Sequence, residues 1–222
     1  MAPKKLVLCT FAVFALFLSF GCFINRDTLP DPIDLQVEGQ PTIGYPKAKV
    51  HVVVFEEPKC INCREYNDEI YPHIKKDFID TNKIRYTVVP VSFLPGSMSA
   101  AIALLCVYHQ DPVYPNNEMF FKYIDYIYTH QPSENSDWAT TEKLQEFAES
   151  TSPAIDLPKL GECIEHETFR VQIEKNNAYG KEIMEGRLTT PTVYVNGIKV
   201  QKLDYSSVKE LIEELLAKEG VN

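Results

Sequence analysis

Two cysteines in the segment Cys60-Ile61-Asn62-Cys63 are the residues of this sequence best equipped for chemistry. They follow a β-branched run, Val50-His51-Val52-Val53-Val54-Phe55, and open a stretch with Ile61, Tyr66 and Ile70 at helical intervals. In that strand-to-helix context a C-x-x-C reads as a redox pair, and its spacing brings both sulfurs to one face of the first helical turn. Only a thiolate attacks a disulfide. The open end of a helix supplies unpaired N–H donors and the positive end of the dipole, and both stabilise that anion. Cys60, at the open end, is therefore the predicted nucleophile, and Cys63, further in, the resolving thiol. Structural zinc would need four ligands, and no second close cysteine pair supplies them. A copper(I) site on the same thiolates, as in a metallochaperone, would want a His or Met over the pair, and the nearest, His73, lies beyond Pro72. No metal is assigned.

The pair needs a frame. Val50–Phe55, bounded by Pro46 and Pro58, suits a buried strand, and Ile84–Val91 reads as a second one. With the helix from Cys60 to Tyr71 between them, which Pro72 kinks or breaks, they form a strand-helix-strand unit with a right-handed crossover and a parallel pair. Segments 97–110, 117–130 and 141–150 read as helices separated by Pro112, Pro115, Pro132 and Pro153, an all-helical insertion. The aromatics Phe120, Phe121, Tyr123, Tyr126 and Tyr128 fit helix packing. A long helical pattern runs from Glu165 to Met184. Asn196-Gly197 between the runs 192–195 and 198–200 predicts a hairpin. The last helix carries Ser207 and Glu210 at capping-box spacing. Glu56 and Glu57, just before the pair, read first as solvated loop acids and second as proton exchangers for the thiols.

Composition narrows the classes. Of 222 residues 45% are hydrophobic and 24% charged, the make-up of a folded protein. With 22 Lys plus Arg against 31 Asp plus Glu, a net charge of -9, the chain offers no basic face to nucleic acid. Lys4 and Lys5 followed by the apolar run from Leu6 to Phe20 read as an export signal. Residues 1–24 are thus a cleaved signal peptide, a lipoprotein leader with Cys22 as the lipidated residue, or an uncleaved anchor extending to Ile24. All three place the body outside the cytoplasm. The Pro- and Gly-rich residues 25–45 read as a linker.

The C-x-x-C start, the helical insert and the stretch Thr189-Thr190-Pro191-Thr192-Val193-Tyr194-Val195-Asn196-Gly197 together resemble the DsbA-like thiol:disulfide oxidoreductases of the thioredoxin superfamily, from about Gln40 to Ala217. The run Tyr71-Pro72-His73-Ile74-Lys75-Lys76-Asp77-Phe78-Ile79-Asp80 is similar to the Gram-positive, BdbD-type branch. The resemblance implies an α/β class: a thioredoxin fold, residues 46–95 and 165–222, with an all-helical domain, residues 96–164, inserted. It implies a cis Pro191 facing the pair and Thr190 offering backbone hydrogen bonds to a substrate strand. It leaves Cys106 and Cys163 as a structural disulfide, two buried free thiols being the alternative. The implied activity is an exported oxidase forming disulfides in envelope or secreted proteins, with a reductase or isomerase as the alternative. Its dithiol carries the electrons without a dissociable cofactor, and a quinone-linked membrane partner of DsbB type reoxidises it in the periplasm or cell envelope. Thioredoxin-like proteins commonly place a buried acid six residues before the first cysteine. Here that position is Val54, and Ile61-Asn62 replaces the Pro-His of the strongest oxidants, so moderate oxidising power is expected.

Overall fold

Residues 29–221 are described by the computed structural model. The leader, with Cys22 and its three readings, lies outside them. The strands are β1 (Thr42–Gly44), β2 (Val50–Glu56), β3 (Ile84–Pro90), β4 (Thr192–Val195) and β5 (Ile198–Lys199). The helices are α1 (Ile61–Glu69), α2 (Tyr71–Ile74), α3 (Met98–Tyr108), α4 (Asn117–His130), α5 (Thr141–Thr151), α6 (Leu157–Glu165), α7 (Arg170–Ile183) and α8 (Tyr205–Lys218), with a π-helical turn at Lys75–Ile79.

One mixed sheet runs β1-β3-β2-β4-β5. β2 lies at its centre, parallel to β3 with Val54 opposite Val88, and antiparallel to β4 with Val54 opposite Val193. Because helices cover both faces of such a strand, its side chains are almost uniformly buried, and its sequence is a continuous apolar run instead of an alternation. Val53 and Phe55 pack with Val89, Val91, Met184, Leu188 and Tyr194 to fill one face of the sheet. The β4–β5 turn has both Asn196 and Gly197 at positive φ, 46° and 80°, as a two-residue hairpin requires.

The segment read as a linker is partly built into this frame. β1 pairs antiparallel with β3, Ile43 opposite Tyr86, Leu35 and Val37 pack against the sheet core, and the Ile33 N–H donates to the Gly197 carbonyl at 3.1 Å. A Cβ at Gly197 would run into the Ile33 carbonyl, so glycine there serves the close approach as well as the turn. A strand of three residues is too short for periodicity to reveal.

Four helices, α3 to α6, stand between β3 and α7. α3 is buried on nearly every side from Ala100 to Tyr108, as an apolar-all-round helix must be. A disulfide joins its Cys106 to Cys163 of α6 across 57 positions. In the chain-entropy account a loop of that size contributes about 4 kcal/mol.

Two helix boundaries differ from the periodicity. The pattern from Glu165 to Met184 is broken: α6 stops at Glu165 and α7 starts at Arg170. Glu167 takes a left-handed φ of 51°, its N–H donates to the Ile164 carbonyl and that of Thr168 to the Cys163 carbonyl, both at 3.0 Å. This is a Schellman stop built without glycine, which leaves no signal in the sequence. The last helix begins two residues before Ser207, at Tyr205: Asp204 is its cap and accepts the Ser207 N–H at 2.8 Å.

Candidate active site

β2 delivers Glu56 and Glu57 to its end, a turn follows at Pro58-Lys59, and Cys60 is the N-cap residue of α1 with ψ at 125°. That backbone places Cys60 at the open end of the first turn, where the N–H groups of Cys63 and Asn62 favour its thiolate although its side chain makes no capping hydrogen bond. Cys60 is 7% exposed and Cys63 fully buried, and the pair is in the dithiol form. From the other side the Thr190–Pro191 peptide, which is cis, brings Thr190 against the pair, and Cys60 Sγ donates to its carbonyl at 3.6 Å. Thr192 fixes the preceding loop, its hydroxyl donating to the Thr189 carbonyl at 2.8 Å.

The two sulfurs are electrostatically unequal. Hydrogen bonding from the Cys63 thiol, aided by Thr190 and the backbone N–H groups of Cys63 and Asn62, holds Cys60 down at about 6 against the opposing effect of burial. Burial pushes the Cys63 thiol up, and negative charge at Cys60 and Glu56 pushes it further. At pH 7 Cys60 is therefore largely thiolate, while Cys63 keeps its proton.

Glu56 and Glu57 are not the solvated acids suggested by their loop position. They are 5% and 0% exposed, because the helical insertion covers the end of β2. The Tyr128 hydroxyl, from α4, donates to Glu56 Oε2 at 2.9 Å. The Glu57 N–H donates to Cys63 Sγ at 3.5 Å, and Glu57 Oε2 accepts the Lys59 N–H at 2.9 Å. Burial raises Glu56 to about 8 and Glu57 to about 7. Val54 lies in the middle of β2 with no polar atom to offer, and these two acids, nearer the pair in sequence, hold titratable protons beside the buried thiol instead. Their carboxyls titrate near neutrality, where proton exchange is most effective.

Beside the pair runs a cleft of about 330 Å³ lined by Asn62, Glu65, Glu69, Thr190, Pro191 and Leu203. Thr190 and Pro191, singled out in the sequence, thus border it together with Asn62 of the C-x-x-C. Several contributors carried no local signal. Lys59 is 2% exposed and its Nζ donates to the carbonyls of Pro95 at 2.7 Å and Ser136 at 2.9 Å. Tyr128 was visible only as one of a helix of aromatics, and Glu134 reaches the Ile61 N–H from across the chain. No group of three or more His, Cys, Asp or Glu side chains among the described residues is arranged to hold a metal ion.

The arrangement has relatives. A thioredoxin family model matches residues 36–214. Disulfide bond formation protein D of Bacillus subtilis is 35% identical over 182 residues, covering 81% of this chain and 78% of the relative. Among solved structures, DsbA of Chlamydia trachomatis superposes with a TM-score of 0.78 at 39% identity, covering 86% of this chain and all of that one. Oxidised BdbD of Bacillus subtilis gives 0.74 at 34% identity, with coverage of 85% and 97%. Extent, identity and architecture agree: this chain belongs to the thioredoxin family, with the DsbA-like fold and dithiol-disulfide oxidoreductase chemistry of its disulfide bond formation branch.

Proposed function

We propose that the chain is an exported oxidase that passes the Cys60–Cys63 disulfide to cysteine-containing proteins. The observation that carries this reading is the placement of Cys60: N-cap of α1, nearly buried, and against Thr190, which with Pro191 lines the neighbouring cleft. In the first step a substrate thiolate attacks Cys60 Sγ of the oxidised pair, a mixed disulfide forms, and Cys63 leaves. Its buried sulfur is a poor place for charge, so it takes a proton, and Glu56 and Glu57 are the groups placed to supply it. In the second step another substrate thiolate attacks the substrate sulfur of the mixed disulfide and Cys60 departs as a thiolate. Two electrons have moved from the substrate to the pair, and the substrate carries a new disulfide. Stabilising the departing thiolate favours this direction, since a low-pKa thiol leaves faster and a stable reduced form makes a stronger oxidant.

Thr190 presents its backbone to a substrate strand, Pro191 borders it, and Cys106–Cys163 holds α3 to α6. A membrane oxidant of the quinone-linked kind restores the disulfide, and the leader delivers the protein to the cell envelope, tethered there in the lipidated or anchored form. No helix among the described residues is long and apolar enough to cross a membrane.

Mixing the oxidised protein with a reduced, unfolded two-cysteine substrate tests the direction. The expected result is a stoichiometric loss of substrate thiols matched by the appearance of Cys60 and Cys63 thiols. Substrate thiols left intact by the oxidised form, together with reduction of substrate disulfides by the reduced form, would assign the protein to the reductases.

A further inference from the structure

The segment between α4 and α5 clasps the active motif from both sides of Cys60. Its turn is closed by the Ser136 N–H and hydroxyl, which donate to the Ser133 carbonyl at 2.9 and 2.7 Å. It is anchored by buried Trp138, whose ring lies 5.8 Å from that of Phe147 in α5. From this turn the Ser136 carbonyl accepts Lys59 Nζ at 2.9 Å, one residue before Cys60. Glu134 Oε2 accepts the Ile61 N–H at 3.0 Å, one residue after it.

The second contact matters for the chemistry. The Ile61 N–H is one of the open donors at the start of α1, the kind of group that makes a helix N-terminus favourable to an anion. Glu134 occupies it and sets a second negative charge at the same helix end, disfavouring a thiolate there. Of the other titratable groups near Cys60, Cys63, Glu56 and Glu57 are buried, and Lys59 directs its ammonium to the Pro95 and Ser136 carbonyls. Glu134 takes part in none of the ion pairs formed by the described residues.

We propose that Glu134 is a positioning residue, held on the Ile61 N–H by the turn between α4 and α5, that moderates the oxidising power of the Cys60–Cys63 pair. The inference rests on the proposed redox role of that pair. It gives the inserted helices a part in the chemistry, because the carboxylate at the helix end comes from the insertion and not from the sheet.

The test is to titrate thiolate absorbance and measure the glutathione equilibrium for the parent, Glu134→Gln and Glu134→Ala proteins. Glutamine keeps an oxygen for the Ile61 N–H and removes the charge. Glu134→Gln is expected to lower the Cys60 pKa by about one unit and to shift the equilibrium about tenfold towards a stronger oxidant, about 30 mV for a two-electron couple. Glu134→Ala, which also frees the N–H, should shift both at least as far. Unchanged acidity and equilibrium in Glu134→Gln, with only a loss of thermal stability in Glu134→Ala, would make Glu134 a structural cap and overturn the inference. A parent protein without an acidic Cys60 would instead overturn the assignment of Cys60, and this inference with it.

Discussion

The Cys63→Ser protein is expected to accumulate mixed disulfides through Cys60, and the Cys60→Ser protein to form almost none. With Cys63 absent, the Cys60 thiolate still attacks a substrate disulfide, but no neighbouring sulfur releases the product. In Cys60→Ser the remaining thiol is fully buried and pushed up by that burial, so at pH 7 it holds its proton far more firmly than Cys60 does. Alkylation rates measured by mass spectrometry should be much faster at Cys60 than at Cys63. In the reduced parent, the rate at Cys60 should rise with pH through about 6 and then level off, following the thiolate population set by its pKa. Both variants should lose catalysed oxidation of a dithiol substrate down to background, because each removes one of the two sulfurs that carry the electrons. Faster alkylation at Cys63 than at Cys60 would reverse the assignment of nucleophile and resolving thiol.

The second large effect belongs to Glu56. Its carboxyl has an ordinary value of 4.5 and is raised to about 8 in the folded protein, chiefly by burial. Below pH 4.5 both folded and unfolded chains hold the proton, and Glu56 costs nothing. Between 4.5 and 8 the unfolded chain gives up its proton while the folded one retains it, so stability falls as pH rises; above 8 the whole penalty is present. At about 1.4 kcal/mol per unit of displacement, the penalty amounts to several kcal/mol. Glu56→Gln keeps an acceptor for the Tyr128 hydroxyl and cannot ionise. Its stability relative to the parent should therefore grow from pH 4.5 to pH 8 and then stay level. Urea unfolding of both reduced proteins across that range gives the difference directly, since the Cys60 contribution is common to both. A difference independent of pH would mean that Glu56 ionises as freely in the folded chain as in the unfolded one. The same variant should slow exchange, because a proton carrier beside Cys63 is lost.

A buried acid near the pair is the point on which the sequence was most misleading. Val54, the position at which the family resemblance implied such an acid, is apolar, and Glu56 and Glu57 at the end of the strand looked like loop residues. What buries them is Tyr128 and its neighbours in α4, some 70 positions away, and no local pattern encodes that cover. Lys59 and Glu134 are invisible for the same reason: their partners Pro95, Ser136 and Ile61 come from separate elements. In contrast, Cys60, Cys63 and the Asn196-Gly197 hairpin carry their geometry in adjacent residues, so spacing alone placed them. β2, β3 and α4 were readable because long apolar or amphipathic runs have few other uses. The stop at Glu167 and the three-residue β1 were not, since the one lacks a glycine and the other is shorter than a pattern.

The pair has an acidic Cys60 without a histidine in the C-x-x-C and with Glu134 on the neighbouring N–H. Such a pair is expected to be an oxidant of moderate strength. The reduction potential of the Cys60–Cys63 couple, from equilibrium with reduced and oxidised glutathione, tests this most directly. The expected value lies between the strongly oxidising extreme near about -120 mV and the reducing value of thioredoxin near about -270 mV. A potential at or below the thioredoxin value would contradict it, because the pair would then draw its electrons from stronger reductants and deliver them to substrates instead of withdrawing them.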